Sequence, residues 1–146
     1  NINKAIHYYS LAVNQNYPQT QFNLGAIYFD GKYVTQDIYK AIHYYSLAAN
    51  LNFPQAQFNL SAIYYEGKYA TCDIDKAIHY YSLAANQSFP EAQFYLGFIY
   101  HGGKYVARDI DKAIHYYSLA ANQNHPDARF NLGLIYYLRK NIHKNI

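Results

Sequence analysis

The chain has 146 residues and a formal net charge of +3, from 12 Lys and Arg against 9 Asp and Glu. This excess is too small to indicate nucleic-acid binding by itself. No apolar run approaches the roughly 20 residues of a membrane-spanning helix, so we expect no membrane insertion in this segment. The single cysteine, Cys72, excludes an intrachain disulfide and a thiolate metal cluster, and it favours a reducing, cytoplasmic compartment.

One octapeptide, Ala-Ile-His-Tyr-Tyr-Ser-Leu-Ala, occurs four times without a change, beginning at Ala5, Ala41, Ala77 and Ala113. The constant period of 36 residues is typical of proteins in which one supersecondary unit stacks on its neighbours. The sequence therefore predicts a single array over residues 1–146, framed as repeats 1–36, 37–72, 73–108 and 109–144. Because the register of Asn1 and Ile2 returns at Asn145 and Ile146, we expect the array to continue beyond both ends.

Each repeat is predicted to contain two helices, as residues 54–87 illustrate. Pro54 suits the first turn of a helix, and Gly67 supplies a left-handed stop at its end. After a short loop, Asp73 is placed to cap the next helix. The same pattern predicts helices at about 3–15, 18–29, 37–51, 54–65, 73–87, 90–101, 109–123 and 126–138. Helices that begin at a proline are called first helices below, and those that carry the octapeptide are called second helices.

The apolar residues of both helix types recur with helical period. On the first helix of the second repeat, Ala56, Leu60 and Ile63 follow at i, i+4 and i+7, so this stripe is expected to face the partner helix. In the octapeptide, we expect the first Ala, the Ile, the second Tyr and the last Ala to be buried. The His and the Ser are expected on its solvated side.

The order Ala56-x-x-x-Leu60-Ser61-x-x-Tyr64-x-x-Gly67, followed by Asp73-x-x-Lys76-Ala77 and Tyr80-Tyr81-x-x-Ala84-Ala85, resembles the Sel1-like repeat. The resemblance extends to the other copies and covers essentially the whole chain. It implies an all-α, right-handed α/α solenoid of antiparallel helix pairs, about eight helices, related to tetratricopeptide repeats. It also implies an adaptor or scaffold in protein complexes, not an enzyme, with no cofactor.

Three positions depart from that pattern. Tyrosine replaces the second loop glycine at Tyr33, Tyr69 and Tyr105, and Ser61 stands where the other repeats have Gly25, Gly97 and Gly133. Arg139 replaces the capping glycine of the last first helix, so we expect that end to be helical or frayed. The paired cysteines of a disulfide-stapled bacterial branch of the family are absent.

The octapeptide also carries side chains that could perform chemistry. Its histidines, His7, His43, His79 and His115, are each followed three residues later by Ser10, Ser46, Ser82 or Ser118. A serine hydrolase or a metal enzyme is therefore one alternative. No acid recurs to orient the histidine, and equivalent helices of successive repeats lie too far apart for one ion to bridge them. We predict no catalytic residue, no metal and no cofactor.

A basic column near the loops, Lys32, Lys68, Lys104 and Lys140, stands beside Tyr33, Tyr69 and Tyr105. Basic groups interleaved with aromatic rings can bind single-stranded nucleic acid, so an RNA-binding helical repeat is a further alternative. Lysine is equally favoured near helix C-termini, with the tyrosine tucked under the loop, and the aligned acids Asp37, Asp73 and Asp109 dilute the positive field. We predict no nucleic-acid partner.

Binding specificity is expected where surface positions differ between repeats. The resemblance implies that the first helices line a concave groove, on which we predict these partner-binding residues: Gln19, Asn23, Gln55, Asn59, Glu66, Glu91, Tyr95, Phe98, Asp127, Asn131, Leu134 and Leu138. The first two repeats offer amides, small residues and acids, and the last two offer larger apolar side chains. We predict a protein or peptide segment held there, its apolar side toward Tyr95 and Phe98. The alternative is that these larger residues only fill space left by neighbouring substitutions.

Two further apolar columns complete the predictions. The invariant Phe22, Phe58, Phe94 and Phe130 are expected to pack against the next first helix. On the second helices, Leu11, Leu47, Leu83 and Leu119 form a strip that could drive self-association if it is exposed, although we expect the following repeat to cover part of it.

Overall fold

The structure is a computed structural model that describes residues 1–13 and 15–142, with side chains as far as Lys140. Over these residues it contains eight α-helices and no strand. The helices are α1 (Ile2–Val13), α2 (Pro18–Asp30), α3 (Ile38–Asn50), α4 (Pro54–Glu66), α5 (Ile74–Asn86), α6 (Pro90–Gly102), α7 (Ile110–Asn122) and α8 (Pro126–Ile142). The all-α prediction is confirmed, and most helix bounds lie within one residue of those expected. Asn145 and Ile146 lie outside the described residues.

The first helices begin and end at the residues that the sequence marks. Prolines occupy the first turns of α2, α4 and α6, and the left-handed glycines Gly31, Gly67 and Gly103 follow, with φ of 63°, 66° and 66°. Each glycine N–H donates to the carbonyl of an isoleucine four residues earlier, which satisfies one of the terminal carbonyls. Arg139 cannot adopt that conformation as readily, and α8 continues to Ile142, so the expectation of a helical end is confirmed.

Aspartates begin three of the second helices. The Oδ1 atoms of Asp37, Asp73 and Asp109 accept from the backbone N–H groups of Lys40, Lys76 and Lys112 at 3.0, 3.0 and 2.9 Å. The N–H of Lys76 holds the pKa of Asp73 below its usual value, because a hydrogen bond to the carboxylate favours the charged form. The prediction for Asp73 is thus confirmed, and Asp37 and Asp109 cap their helices in the same way.

The described contacts divide the chain into two compact modules, an N-terminal module of residues 1–84 and a C-terminal module of residues 85–146. The core of the N-terminal module contains Ala41, Tyr45, Ala48, Ala49, Ala56, Leu60 and Ile63. The core of the C-terminal module contains Ala113, Tyr117, Ala120, Ala128 and Ile135. The buried alanines and second tyrosines of the octapeptides in α3, α5 and α7 confirm the predicted apolar face there, whereas in α1 the same residues are half-buried. The isoleucines are half-buried in all four copies. A single array over residues 1–146 stays a prediction.

The phenylalanine column lies against the buried tyrosines. Ring centroids are 5.6 Å apart for Phe22 and Tyr45, 5.8 Å for Phe58 and Tyr81, and 5.7 Å for Phe94 and Tyr117. We expected these rings to pack on the next first helix, and Phe22 does lie 5.4 Å from Phe53, the N-cap residue of α4. In all three cases, however, a ring partner is the tyrosine of the intervening second helix. Aromatic pairs at this separation add to the stability gained from burial alone.

In α4, α6 and α8, a polar side chain reaches back to the end of the preceding second helix. The Nε2 atom of Gln57 donates to the carbonyl of Ala49 at 3.2 Å, and that of Gln93 donates to the carbonyl of Ala85 at 3.1 Å. At the same position of the last repeat, Nε of Arg129 donates to the carbonyl of Ala121 at 3.2 Å. Each of these carbonyls also accepts from the backbone N–H of the residue three positions later, so the side chain adds a second donor at the helix end.

Candidate partner-binding site

The structure distributes the predicted binding residues over both modules. Gln19, Gln55, Glu66, Glu91, Phe98, Asp127, Leu134 and Leu138 are exposed, whereas Asn23, Asn59, Tyr95 and Asn131 are half-buried. The N-terminal module carries the residues up to Glu66, and the C-terminal module carries the others.

In the N-terminal module the first helices α2 and α4 border a groove of about 450 Å³. It is lined by Ala26, Phe29, Asp30, Tyr45, Asn59, Ala62, Ile63, Glu66, Lys68 and Tyr69, and we call it the acidic groove. Two of the predicted residues, Asn59 and Glu66, lie in it. The sequence prediction did not include its aromatic wall, where the rings of Phe29 and Tyr69 meet edge to face with centroids 5.2 Å apart.

Three charged side chains line the acidic groove. Asp30 and Glu66 are exposed, and neither forms an ion pair within 4.0 Å among the described residues. Lys68 instead lies with Nζ 4.7 Å from the centroid of the Tyr69 ring, and a hydrogen bond to that tyrosine raises the pKa of Lys68. Burial raises the pKa of Tyr45 on the groove floor to about 12. The negative charge of Asp30 acts in the same direction, although a hydrogen bond with Asn59 opposes it.

The asparagine row has a structural role that the sequence pattern did not reveal. Asn59 is hydrogen-bonded to the buried Tyr45, and Nδ2 of Asn23 donates to the hydroxyl oxygen of Tyr9 at 3.4 Å. Gln19 in turn donates to Oδ1 of Asn23 at 3.0 Å. In each pair the tyrosine precedes the asparagine by 14 residues, a repeated spacing that could have indicated the contact. Part of this row is therefore committed to holding the helix pair together.

In the C-terminal module, Tyr95 and Phe98 belong to a ring cluster on α6. Phe94 lies at its centre, 5.5 Å from Tyr95 and 6.4 Å from Phe98 by ring centroids, and it stacks on His125 at 4.7 Å. Phe98 remains 46% exposed, and Leu134 on α8 is 40% exposed. These two side chains present apolar surface at the positions that Ala26 and Ala62 occupy in the N-terminal module.

Leu138 lines a different pocket of the C-terminal module, of about 390 Å³, together with His101, Arg108, Ile110, Ile135 and Arg139. This pocket is lined by apolar side chains and by the basic groups of Arg108 and Arg139. The sequence did not indicate it, because Arg108 lies in a loop and Arg139 was considered only as a residue that replaces a capping glycine. Nη2 of Arg139 lies 3.0 Å from Oδ1 of Asp111. Partial burial, and then the charge of Arg108, lower the pKa of His101.

The repeated histidines and serines do not form the arrangement that a hydrolase needs. All four histidines are exposed, and each ring lies edge-on to the tyrosine that follows it. The hydroxyls of Ser10, Ser46 and Ser82 donate to the backbone carbonyls of Ile6, Ile42 and Ile78 at 2.7–2.8 Å. In these three copies the hydroxyl hydrogen is therefore donated to the serine's own helix and not to the histidine.

The loop lysines and tyrosines pair with each other. Nζ of Lys32, Lys68 and Lys104 lies 5.0, 4.7 and 4.6 Å from the ring centroid of the tyrosine that follows it. Each lysine occupies one face of its tyrosine ring, so at most the other face is left for a nucleobase to stack on. The expectation of tyrosines tucked under the loop is wrong for Tyr33 and Tyr105, which are exposed.

The leucine strip on the second helices is interrupted. Leu11 and Leu119 are exposed, whereas Leu47 and Leu83 are half-buried. The neighbouring Tyr44 is half-buried and stacked on Tyr28 at 5.9 Å. Two of the four leucines are thus partly covered. That the following repeat covers them, and that the strip drives self-association, stay predictions.

A family model for the Sel1 repeat matches residues 1–17, 18–53, 54–89, 90–125 and 126–144. The chain belongs to the Sel1 repeat family. This confirms the resemblance and the α/α solenoid class of fold. Sel1 repeats mediate protein–protein interaction, and proteins that contain them are generally scaffolds and typically non-catalytic.

Solved structures of similar proteins agree with this assignment. A protective antigen of uropathogenic Escherichia coli strains that displays an SLR fold is 34% identical over 89% of this chain and 28% of its own, with a TM-score of 0.84. A Sel1 repeat protein of Oxalobacter formigenes is 32% identical over 92% of this chain and 55% of its own, also with a TM-score of 0.84. Cysteine-rich protein B of Helicobacter pylori is 28% identical over 89% of this chain and 93% of its own, with a TM-score of 0.68.

The Sel1 repeat chain thus spans about a quarter and about half of the first two of these proteins. No curated protein sequence matches it significantly. Within the described residues, no three His, Cys, Asp or Glu side chains come together so as to hold a metal ion. No helix in the same part of the chain has both the length and the apolar character needed to cross a membrane.

Proposed function

We propose that this Sel1 repeat chain is a non-catalytic scaffold that holds a segment of a partner protein on the surface formed by its first helices. The family assignment supports the class of function. The position on the first helices is supported by one contrast between repeats. Where the N-terminal module has Ala26 and Ala62, the C-terminal module has the exposed Phe98 and Leu134.

Phe98 is the main support for the proposal. A large aromatic ring exposed to water is less favourable than the alanine found at the equivalent positions 26 and 62. Phe98 packs on the half-buried Phe94 on one side and leaves almost half of its surface for a partner. Aromatic side chains held in this way commonly dominate the energy of an interface. The apolar side of the partner segment is therefore placed against Tyr95 and Phe98.

The test compares truncations inside and outside this surface. Peptides are selected from a displayed random library against the wild-type chain, and their affinities are then measured for Tyr95→Ala and Phe98→Ala. We expect Phe98→Ala to weaken binding about tenfold or more, with an unchanged far-ultraviolet circular dichroism spectrum.

Two variants serve as matched controls. Tyr39→Ala removes a ring that is 90% exposed on a second helix, and Leu119→Ala removes an exposed leucine from another second helix. Both are expected to bind the selected peptides like the wild type. Two results would contradict the placement on the first helices. One is an equal loss of affinity in the control variants and in Tyr95→Ala and Phe98→Ala, and the other is no loss in either Tyr95→Ala or Phe98→Ala.

A further inference from the structure

The acidic groove of the N-terminal module has two carboxylates, which the equivalent positions of the last two repeats lack. Asp30 and Glu66 occupy the same position of successive repeats, and the next two repeats have Gly102 and Leu138 there. Ala26 and Ala62 line the same groove, and their short side chains leave the volume of about 450 Å³ open. The groove therefore combines room for a long side chain with two carboxylates at its edge.

Both acids stand where the fold itself does not favour them. Asp30 is the last residue of α2 and Glu66 is the last residue of α4. The carbonyl end of a helix is partially negative, so a carboxylate there is repelled and a cation is favoured. Neither acid has a cationic partner within ion-pair distance in the described part of the chain. The charge of Asp30 reaches the groove floor, where it contributes to the raised pKa of Tyr45.

Lys68 supplies the opposing charge in the groove and must be counted against the acids. Its Nζ lies over the Tyr69 ring, and the nearby Glu66 also favours its charged form. With Asp30 and Glu66 against Lys68, the lining keeps one net negative charge. A cation entering the groove is thus attracted by the two acids and opposed by one lysine.

The wall of the groove distinguishes between basic side chains. The half-buried rings of Phe29 and Tyr69 stand edge to face beside the acids. A guanidinium group is planar, is weakly hydrated and can stack on an aromatic ring while it donates to two carboxylates. An ammonium group acts as a strongly hydrated point charge and gains less from such a wall. The combination fits arginine.

We infer that the acidic groove binds an arginine side chain of the partner segment, with the guanidinium between Asp30 and Glu66 and the aliphatic stem over Ala26 and Ala62. This assignment rests on the proposed function, because it names the chemistry of the segment that the scaffold holds. The second module has no acid at the equivalent positions, so the arginine site belongs to the N-terminal module alone among the described residues.

The experiment titrates the isotopically labelled chain with the peptide acetyl-Ala-Ala-Arg-Ala-Ala-amide and follows its backbone amide resonances. The comparison peptide contains citrulline in place of arginine, which keeps the shape and removes the charge. We expect saturable shifts at residues of the acidic groove with the arginine peptide, weakened by added salt, and much smaller shifts with the citrulline peptide.

Charge-neutralising variants give the sign of each contribution. Asp30→Asn and Glu66→Gln should each weaken binding about threefold to fivefold, as partly exposed ion pairs do, whereas Lys68→Gln should strengthen it. Asp75→Asn removes the same charge from an exposed position of α5 in the same module and should leave the affinity unchanged.

Equal shifts with both peptides, or equal effects of Asp30→Asn and Asp75→Asn, would overturn the arginine site. The scaffold proposal would survive that result if Phe98→Ala still binds the selected peptides more weakly than the wild type. Conversely, the scaffold proposal alone would fail if Phe98→Ala binds the selected peptides like the wild type while the arginine peptide still shifts the resonances of the acidic groove. The two failures are therefore distinguishable.

Discussion

Gly25 and Gly97 lie where a second helix approaches a first helix most closely. A Cβ atom on Gly97 would stand 2.6 Å from Cδ1 of the buried Tyr117, and one on Gly25 would stand equally close to Tyr45. The equivalent Ser61 is fully buried and donates to the carbonyl of Gln57 at 2.7 Å, so a small side chain can be accommodated after adjustment. A large one cannot, because buried rings in a packed core have no free space to enter.

Gly97→Leu and Gly133→Leu make a matched pair at one position of the repeat. Gly97→Leu should lower the free energy of unfolding by about 2 kcal/mol or more through overpacking against Tyr117. A Cβ atom on Gly133 would meet no described atom within 4 Å, so Gly133→Leu should be neutral or stabilise by up to about 1 kcal/mol through better helix propensity. Urea unfolding of both variants checks this, and destabilisation of equal size in the two would contradict it.

At the scale of the helix, the buried glutamines join consecutive elements. Gln57 on α4 is fully buried and holds a carbonyl at the end of α3, a contact between residues eight apart. Because Arg129 makes the equivalent bond in the last repeat, the position requires a donor rather than a particular side chain. The sequence pattern shows the invariance of the first three glutamines, but not which carbonyl they contact.

Gln57→Leu should lower the free energy of unfolding by about 1 kcal/mol, because the carbonyl of Ala49 loses one of its two donors and keeps the N–H of Asn52. Gln55→Leu, two residues earlier on the exposed side of α4, should change it by no more than about 0.5 kcal/mol. Thermal unfolding of the two variants measures the difference. A similar small effect in both would mean that water replaces the glutamine at the helix end.

The helix bounds could be predicted because the residues that set them act locally. Proline, glycine and aspartate act within one turn of the helix that they start or stop, so the bounds of α4 and α6 could be predicted within one residue. α8 is the exception, because Arg139 supplies no stop and the helix runs to Ile142. The binding residues were harder to place, since the bond between Asn59 and Tyr45 and the pocket at Arg108 and Leu138 depend on how neighbouring helices are packed.

At the scale of the whole molecule, each module is built around a buried tyrosine. Tyr45 in the N-terminal module is 2% exposed, and Tyr117 in the C-terminal module is fully buried. Burial raises the pKa of each phenol to about 12, because the charged phenolate is poorly solvated in the core. Both modules therefore share a sensitivity to alkaline pH.

Because the pKa of each buried phenol is raised, the free energy of unfolding falls as the pH rises. In the unfolded chain these phenols lose their protons near pH 10, before the folded chain does, so the stabilisation is complete below pH 10 and is lost as the pH rises through about 12. We expect a loss on the order of 2 kcal/mol per tyrosine. Urea unfolding at pH 8, 10 and 11, with tyrosinate absorbance followed in parallel, measures it.

Tyr45→Phe should remove the contribution of one phenol and leave that of Tyr117, whereas Tyr39→Phe, which alters an exposed ring, should leave the pH dependence unchanged. A free energy of unfolding that stays constant between pH 9 and 11 in the wild type would contradict the assignment to buried phenols.

The helices α5 and α7 have the same 13-residue sequence, Ile-Asp-Lys-Ala-Ile-His-Tyr-Tyr-Ser-Leu-Ala-Ala-Asn, yet they dock at different places along the chain. Nothing in either helix specifies which neighbours it contacts, so the short loops that tether each one must determine them. At high concentration a helix from another molecule offers the same docking face as the tethered one, which favours exchange between chains during refolding. Refolding at low protein concentration should therefore reduce this exchange between chains.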